Sequence, residues 1–323
     1  MDLSIRKCVP SDLAFVSALG GEFAGKHLAG HRKLDPEAVC RYRRRQLSSY
    51  GSAPPDPQHD SLIVAEREGT PVGYALIRKV VEPTTGLDQV LIEDLIVEES
   101  ERRRGAGSAL LKAVEDKAAE WNVGFLAVAI PIGIEDSLAF LEKRGFWPER
   151  NRYVRPAVSR VPEPRSLVLR RGTREDYPVL REHFEKSIPH SLHPKREITP
   201  ETATARCLAI LDQARDSLYH DDVFYMFAIE ETGLQAGSLI GIILKDEHTG
   251  TPQTYLLNVF TSPECRKQRV ATVLSDALDL FTVRKGIPFV SSEVTLTNTP
   301  SLHYARTIGF TEERLVLAKV LCR

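Results

Sequence analysis

Two groups of residues in this chain have types and spacing suited to chemistry. In EESERRRGAGSALL (98–111) three arginines, Arg102, Arg103 and Arg104, abut the turn Gly105-Ala106-Gly107, and Ser108 opens a helical pattern. A helix N-terminus offers unpaired amides and about half a positive charge, and glycines let that backbone approach a ligand closely. With guanidinium groups added, the turn suits an anion with several oxygens, such as a diphosphate. The alternative is a solvated surface turn, the commoner fate of a charge run. Just upstream, LIEDLIV sets Glu93 and Asp94 side by side. On a regular strand neighbouring side chains point to opposite faces, so only one carboxylate is expected to face a ligand lying against it. A glutamate there can take the proton of an amine whose pKa is near ~10, directly or through a water. Its alternative is an ion pair with an arginine, or a solvated place at a strand end.

Both groups need elements to hold them. DSLIVAERE and TPVGYALIRKVV read as two strands joined by a turn at Gly69-Thr70-Pro71, and QVLIEDLIV as a third strand. After Gly107, the residues Leu110, Leu111, Val114, Ala118 and Trp121 recur at helical spacing, and FLAVAIPI returns as a buried strand. The order is helix, antiparallel strands, helix, strand, helix. That is a mixed α/β unit with helices on both faces of its sheet.

The chain repeats this unit. LSIRKCVPSDLAFVSAL (3–19) resembles LVLRRGTREDYPVLREHF (167–184), pairing Arg6 with Arg170 and Asp12 with Asp176; Arg102 pairs with Arg266 and Gly145-Phe146 with Gly309-Phe310, always 164 positions apart. One offset at four anchors predicts two copies of one domain, at 1–154 and 167–323. RPAVSRVPEPRS (155–166), with three prolines, reads as an extended linker. A total of 323 residues fits two cores better than one.

Composition narrows the partners. With 43 basic and 44 acidic residues the net charge is -1, so there is no global field to gather nucleic acid or an anionic membrane. No run approaches the ~18 apolar residues of a membrane span, and the first residues lack the apolar core of a signal peptide. Five scattered cysteines without a C-x-x-C pair indicate neither a disulfide framework nor a zinc knuckle, and fit a cytoplasmic setting.

Placed between a strand and a helix, Arg102-Arg103-Arg104-Gly105-Ala106-Gly107 resembles the R/Q-x-x-G-x-G/A signature of the GNAT superfamily of acyl-CoA N-acyltransferases, and FLEKRGF (140–146) its late helix. The resemblance covers both copies, in a tandem arrangement similar to the mycothiol synthase type. It implies two GNAT-like domains and acetyl-CoA as co-substrate, without a metal. Backbone amides from Arg103 to Ser108 would hold the diphosphate, and the strand backbone at Leu95, Ile96 and Val97 would pair with the pantetheine arm. The ED pair resembles that of spermidine/spermine N-acetyltransferases, which carries the proton-accepting role over to Glu93 and leaves Asp94 as structural. The activity implied is N-acetylation of a small-molecule primary amine by direct attack. A peptide or protein amine is one alternative; a non-catalytic acyl-CoA sensor or scaffold is another. Two family positions depart: Leu141 stands where a tyrosine often protonates the leaving thiolate, and Ile134 where an asparagine is frequent.

The second copy departs elsewhere. Arg269 replaces the central glycine, so its phosphate cradle is expected to be distorted or filled. Leu257 and Asn258 stand at the Glu93 and Asp94 positions, while Asn298, Ser301 and Tyr304 keep parts of the late helix. The first copy is therefore expected to do the chemistry and the second to shape its substrate side. Three further signals have bland readings. Arg41, Arg43, Arg44 and Arg45 read as a solvated helix face, His190 and His193 as a loop, and Cys265, despite basic neighbours, as inert packing.

Overall fold

The computed structural model describes residues 2–50, 59–163 and 166–321. The first copy runs β1 (Leu3–Lys7), α1 (Leu13–Lys26), α2 (Pro36–Ser49), β2 (Asp60–Arg67), β3 (Thr70–Val81), β4 (Asp88–Val97), α3 (Ala106–Glu120), β5 (Phe125–Pro131), α4 (Glu135–Glu142) and β6 (Trp147–Pro156). The second repeats the order as β7 (Leu167–Arg171), α5 (Tyr177–Ser187), α6 (Pro200–Gln213), β8 (Val223–Glu230), β9 (Gln235–Lys245), β10 (Pro252–Thr261), α7 (Val270–Arg284), β11 (Phe289–Thr295), α8 (Thr299–Thr307) and β12 (Thr311–Val320). No helix among the described residues is long and apolar enough to cross a membrane.

Local chemistry explains the boundaries. The Asp35 carboxylate accepts from the amides of Glu37 and Ala38 while Pro36 takes the first helical position, which starts α2. The β2–β3 turn falls at Glu68 and Gly69, both with positive φ, one residue earlier than expected because Thr70 and Pro71 already belong to β3. Gly20 lets α1 press onto the sheet: a Cβ there would lie 2.2 Å from Tyr74 Oη and 2.4 Å from a Leu47 methyl. Of the expected linker, Arg155 and Pro156 lie in β6, and Pro164 and Arg165 are outside the described residues, as is Cys322.

All twelve strands form one sheet, in the order β1-β2-β3-β4-β5-β12-β6-β11-β10-β9-β8-β7. The last strands are exchanged. β12 pairs antiparallel with β5 of the first copy, β6 pairs antiparallel with β11 of the second, and β6 and β12 lie side by side between them. Each copy thus completes the other's sheet. Helices cover both faces as the pattern predicts. Leu110, Leu111 and Val114 of α3 join Ile92 and Val128 in one core, and Val16 and Leu47 of α1 and α2 join Tyr74 and Ile96 in another.

Buried ion pairs fasten the exchange about a pseudo-twofold axis. Arg32, 3 % exposed, bonds Glu313, with Nη2 2.7 Å from Oε2, and reaches Gln253 at 3.1 Å and Asp246 at 3.4 Å. Its counterpart Arg196, 2 % exposed, bonds Glu149 at 2.7 Å and Gln89 at 3.0 Å. Every one of these bonds crosses from one copy to the other. The arginines, glutamates and glutamines stand at the same 164-residue offset as the motifs.

Candidate active site

The site begins where β4 and β5 part. Their parallel ladder runs from Val90↔Leu126 to Ile92↔Val128 and stops, although β4 continues to Val97 and β5 to Pro131. On its other edge β4 stays paired with β3 up to Val97↔Gly73. The backbone at Leu95, Ile96 and Val97 therefore faces a wedge-shaped gap, with amide and carbonyl groups available to an extended ligand.

Glu93 lies at the apex. The register passes from Ile77↔Ile92 to Leu76↔Asp94, so Glu93 is the extra residue of a β-bulge. A bulge sets aside the alternation of a regular strand, and this corrects the expectation that Glu93 and Asp94 face apart. Both carboxylates are buried, 9 % and 7 % exposed, and both act on the Arg43 guanidinium. Asp94 accepts from Arg43 Nη2 at 2.5 Å and from Tyr74 Oη at 2.8 Å, which makes it a structural anchor between strand and helix. Arg43 is the second correction. Arg41, Arg44 and Arg45 do face solvent, but Arg43 is buried on the helix face that carries Val39 and Leu47, because it has a carboxylate to pair with.

Glu93 is held differently. Arg78 Nη2 lies 3.0 Å from Glu93 Oε1, off the hydrogen-bond axis, so that buried oxygen has no donor aligned on it among the described residues. Burial, with Glu247 and Asp94 adding repulsion, pushes its carboxyl up to about 7 against the pull of Arg78 and Arg43. Tyr50, at the end of α2, adjoins both Glu93 and Arg78, and burial raises its phenol. Arg78 also pairs with Asp60 at 3.0 Å. Neither Arg78 nor Tyr50 stood out in the sequence, since nothing in a strand pattern or at a helix end marks a residue for this gap.

Five residues beyond β4 the arginine turn leads into α3. Arg103 and Gly105 adopt left-handed backbone, φ 62° and 94°, and Gly105 caps α3 without a side chain, so no capping side chain covers the amides of Ala106, Gly107 and Ser108. The guanidinium groups have partners already. Arg102 Nε donates to Val97 O at 3.3 Å, Arg103 pairs with Asp136 at 2.7 Å and Arg104 with Glu101. Ser108 is bonded to Arg144, whose guanidinium lies 3.7 Å from the Phe140 ring centre. The backbone, more than the arginines, is what the turn presents. Leu141, at the tyrosine position, is buried in the core.

The second copy keeps this frame with other side chains. β10 and β11 part after Leu256↔Ser292, and a bulge at Leu257 matches that at Glu93. Its turn is not deformed as expected: Lys267 and Arg269 have φ 67° and 63°, so Arg269 takes the left-handed conformation in glycine's place, at a cost of about 1 kcal/mol. Leu257 is 37 % exposed, and Asn258 Oδ1 is buried with no partner among the described residues. At the Arg43 and Tyr74 positions stand Cys207 and Ser238, bonded to Thr84 O and His183. Tyr304 is tied to Ala271 O at 2.7 Å and to Ser275. Cys265 is buried against Glu230, and burial pushes its thiol up to about 11. His193 packs on Trp147. A cavity of about 540 Å³ between Asp88, Phe125 and Arg206 contains none of these site residues.

Comparison with known proteins agrees with this architecture. The model of the acetyltransferase (GNAT) family matches twice, at residues 32–146 and 189–310. A GCN5-related N-acetyltransferase from Sphaerobacter thermophilus is similar at 18 % identity and a TM-score of 0.62, over 98 % of this chain and 95 % of that one. A tandem GNAT protein from the clavulanic acid biosynthesis pathway matches at 15 % identity and a TM-score of 0.56, over 99 % and 98 %. The glucosamine N-acetyltransferase region of a fungal multi-domain GH3 β-N-acetylglucosaminidase matches at 15 % identity and 0.64, over 98 % of this chain and 38 % of that one. No curated protein matches by sequence, and the likeness to the mycothiol synthase type in particular gains no support. Two family matches spanning most of the chain, on two wedges in one sheet, each followed by the left-handed turn and its helix, place the chain in the GNAT acetyltransferase family, as a tandem of two GNAT domains.

Proposed function

We infer that this acyltransferase moves an acetyl group from acetyl-CoA to a primary amine of a small molecule, and that the first copy does the chemistry. The observation that carries the reading is Glu93: a buried carboxyl poised at about 7, at the apex of the β4/β5 gap, with an oxygen that no donor among the described residues is aligned on. A base with a pKa near the working pH combines availability with driving force.

In this reading the uncapped amides of Ala106, Gly107 and Ser108, with Arg102, Arg103, Arg104 and Gly105 shaping the turn, hold the diphosphate. The exposed β4 edge at Leu95, Ile96 and Val97 aligns the thioester arm toward Glu93. Glu93 takes the amine proton, directly or through a water; nitrogen then bonds the thioester carbonyl carbon and the carbon–sulfur bond breaks. An amide near Leu95 stabilises the oxygen that gains charge. As the bond breaks the nitrogen sheds its second proton and the departing thiolate takes it through water, since Leu141 offers none; a thiol of pKa about 8.5 leaves without a dedicated acid. We place the domains at 1–154 and 167–323, joined through 155–166, with the exchanged strands crossing between them.

Thiol release from acetyl-CoA across a panel of primary amines, beside calorimetric titration with CoA, tests this. Turnover on small amines supports it. Turnover on peptide amines alone would move the acceptor class, and CoA binding without turnover on any amine would make the chain a non-catalytic acyl-CoA sensor.

A further inference from the structure

The two wedges carry their glutamates on opposite sides. In the second copy β10 and β11 part after Leu256↔Ser292, which sets Leu257 on the β10 side and Glu293 on the β11 side. In the first copy β4 and β5 part after Ile92↔Val128, which sets Glu93 on the β4 side and Ala129 on the β5 side. Ala129 is the counterpart of Glu293, 164 positions earlier, as Glu93 is of Leu257. In the second copy the Glu293 carboxylate is held by two arginines of the exchanged strand β6. Arg152, directly opposite in the ladder, pairs with it at 3.4 Å; Arg150, opposite Thr295 and so on the diagonal, pairs with it at 3.5 Å and with Glu82 at 2.6 Å.

The other exchanged strand, β12, brings the same cation to the first wedge without its counter-charge. Arg314, the counterpart of Arg150, lies opposite Pro131, the counterpart of Thr295, so Ala129 is its diagonal neighbour on one sheet face, within reach of a long side chain. Val128 and its partner Ile92 point into the α3 core, so Ala129 points to the other face, where Asp94 anchors α2. Val316 stands at the Arg152 position and Ala129 at that of Glu293, while Asp246, one methylene shorter than its counterpart Glu82, pairs with Arg32 at 3.4 Å. Arg314 is 8 % exposed, its Nε is buried with no partner, and it forms no ion pair among the described residues. Burial depresses both guanidinium groups; Glu82, Glu149 and Glu293 outweigh it at Arg150, which ends above its ordinary value, whereas Arg314 ends below. A buried cation left uncompensated is costly, and the frame's own second version shows the carboxylate that relieves it. Ala129 is only partly buried, so the space that Glu293 fills in the second copy is open in the first.

We propose that Arg314, carried into the first copy's wedge by β12, binds a carboxylate of the acceptor in the place that Glu293 occupies in the second copy, so that the substrate is an aminocarboxylate, a primary amine joined by a short chain to a carboxylate. This rests on Glu93 being the group that receives the reacting nitrogen: Glu93 and Ala129 border the wedge from its two strands, so the amine reaches Glu93 while the carboxylate lies over Ala129 against Arg314. The strand exchange then has a use beyond stability, since it hands the first copy a recognition group that its own chain segment lacks.

The test compares glycine, 3-aminopropanoate, 4-aminobutanoate and 6-aminohexanoate with their carboxamides, using full-length protein and acetyl-CoA. The parent is expected to favour the best aminocarboxylate over its amide in kcat/KM, and Arg314→Gln to shrink that ratio about thirtyfold, the lower end for truncating one partner of a buried charge pair. Arg314→Lys should restore part of it. A merely structural arginine is told apart by thermal unfolding without substrate: Arg150→Gln should lower the melting temperature and Arg314→Gln should not. Ala129→Glu, which supplies the missing carboxylate from within the chain, should abolish the preference. Equal ratios in parent and Arg314→Gln, no aminocarboxylate preference in the parent, or a preference that survives Ala129→Glu would overturn the assignment. Should the parent turn over no amine, the acyl-transfer reading fails by itself, and calorimetry with the same aminocarboxylates decides Arg314. Binding weakened by Arg314→Gln supports its role; no binding, or equal affinity, refutes it.

Discussion

The two copies agree in backbone and differ in chemistry. Each has a bulge where its central parallel strands separate, at Glu93 and at Leu257, and each follows with a left-handed turn into a helix. Yet Glu93, Asp94, Arg43 and Tyr74 of the first copy are Leu257, Asn258, Cys207 and Ser238 in the second. Wedge and turn thus persist where the candidate base has gone, because the hydrogen-bonded frame and the exchanged strands maintain them. A GNAT frame alone is consequently weak evidence for catalysis, and the claim must rest on the side chains at its apex.

The comparison can be strained from several sides. The largest effect on stability belongs to what the copies share. Arg32→Ala and Arg196→Ala each remove the closest partner of a buried glutamate, Glu313 and Glu149, and should cost about 4 kcal/mol in denaturant unfolding. The two losses should be alike; very unequal ones would mean that the halves are not fastened equivalently.

Next comes the asymmetry at the bulge. Asp94→Asn removes the partner of buried Arg43 and should cost about 3 kcal/mol. Asn258→Asp should also destabilise, by placing a charge where Cys207 and Ser238 supply no cation. Stabilisation by Asn258→Asp would show that the second site still accommodates a carboxylate.

Glu93 itself makes stability depend on pH. Its folded pKa, about 7, lies above its ordinary value of 4.5. The protonated form therefore favours folding; that contribution is complete below 4.5 and is lost as the pH rises through 7. Glu93→Gln, which mimics the protonated carboxyl, should match the parent in thermal unfolding at pH 4.5 and exceed it at pH 8 by on the order of 3 kcal/mol. Smallest is Arg269→Gly, which relieves left-handed backbone and should stabilise by about 1 kcal/mol, less what a more flexible unfolded chain takes back.

Much of the fold was legible because periodicity and repetition survive in one dimension. The strand and helix patterns gave the layers, and the single 164-residue offset gave the tandem. The exchange of β6 and β12 was not legible: both read as ordinary last strands, and which neighbour a strand chooses depends on contacts remote in the chain. The same holds for Arg32 and Arg196, isolated arginines whose partners lie in the other copy. At the site, the turn stood out by composition and spacing and Glu93 by its resemblance to a family position, but the bulge that turns Asp94 with Glu93 has no local signal. Arg43 looked solvated for the same reason, since a charge in a basic run reveals nothing of the carboxylate it meets 51 positions away. The Arg269 substitution misled in the opposite sense, because a backbone held at both ends can keep a non-glycine residue left-handed.

The account's central claim is that Glu93 of the first copy accepts the proton, and kcat/KM against pH for the parent, Glu93→Gln and Leu257→Gln tests it most directly. The parent and Leu257→Gln should both rise through a limb near pH 7, and Glu93→Gln should lose that limb with about a hundredfold drop in rate. A Glu93→Gln profile that kept the limb and the rate would contradict the claim.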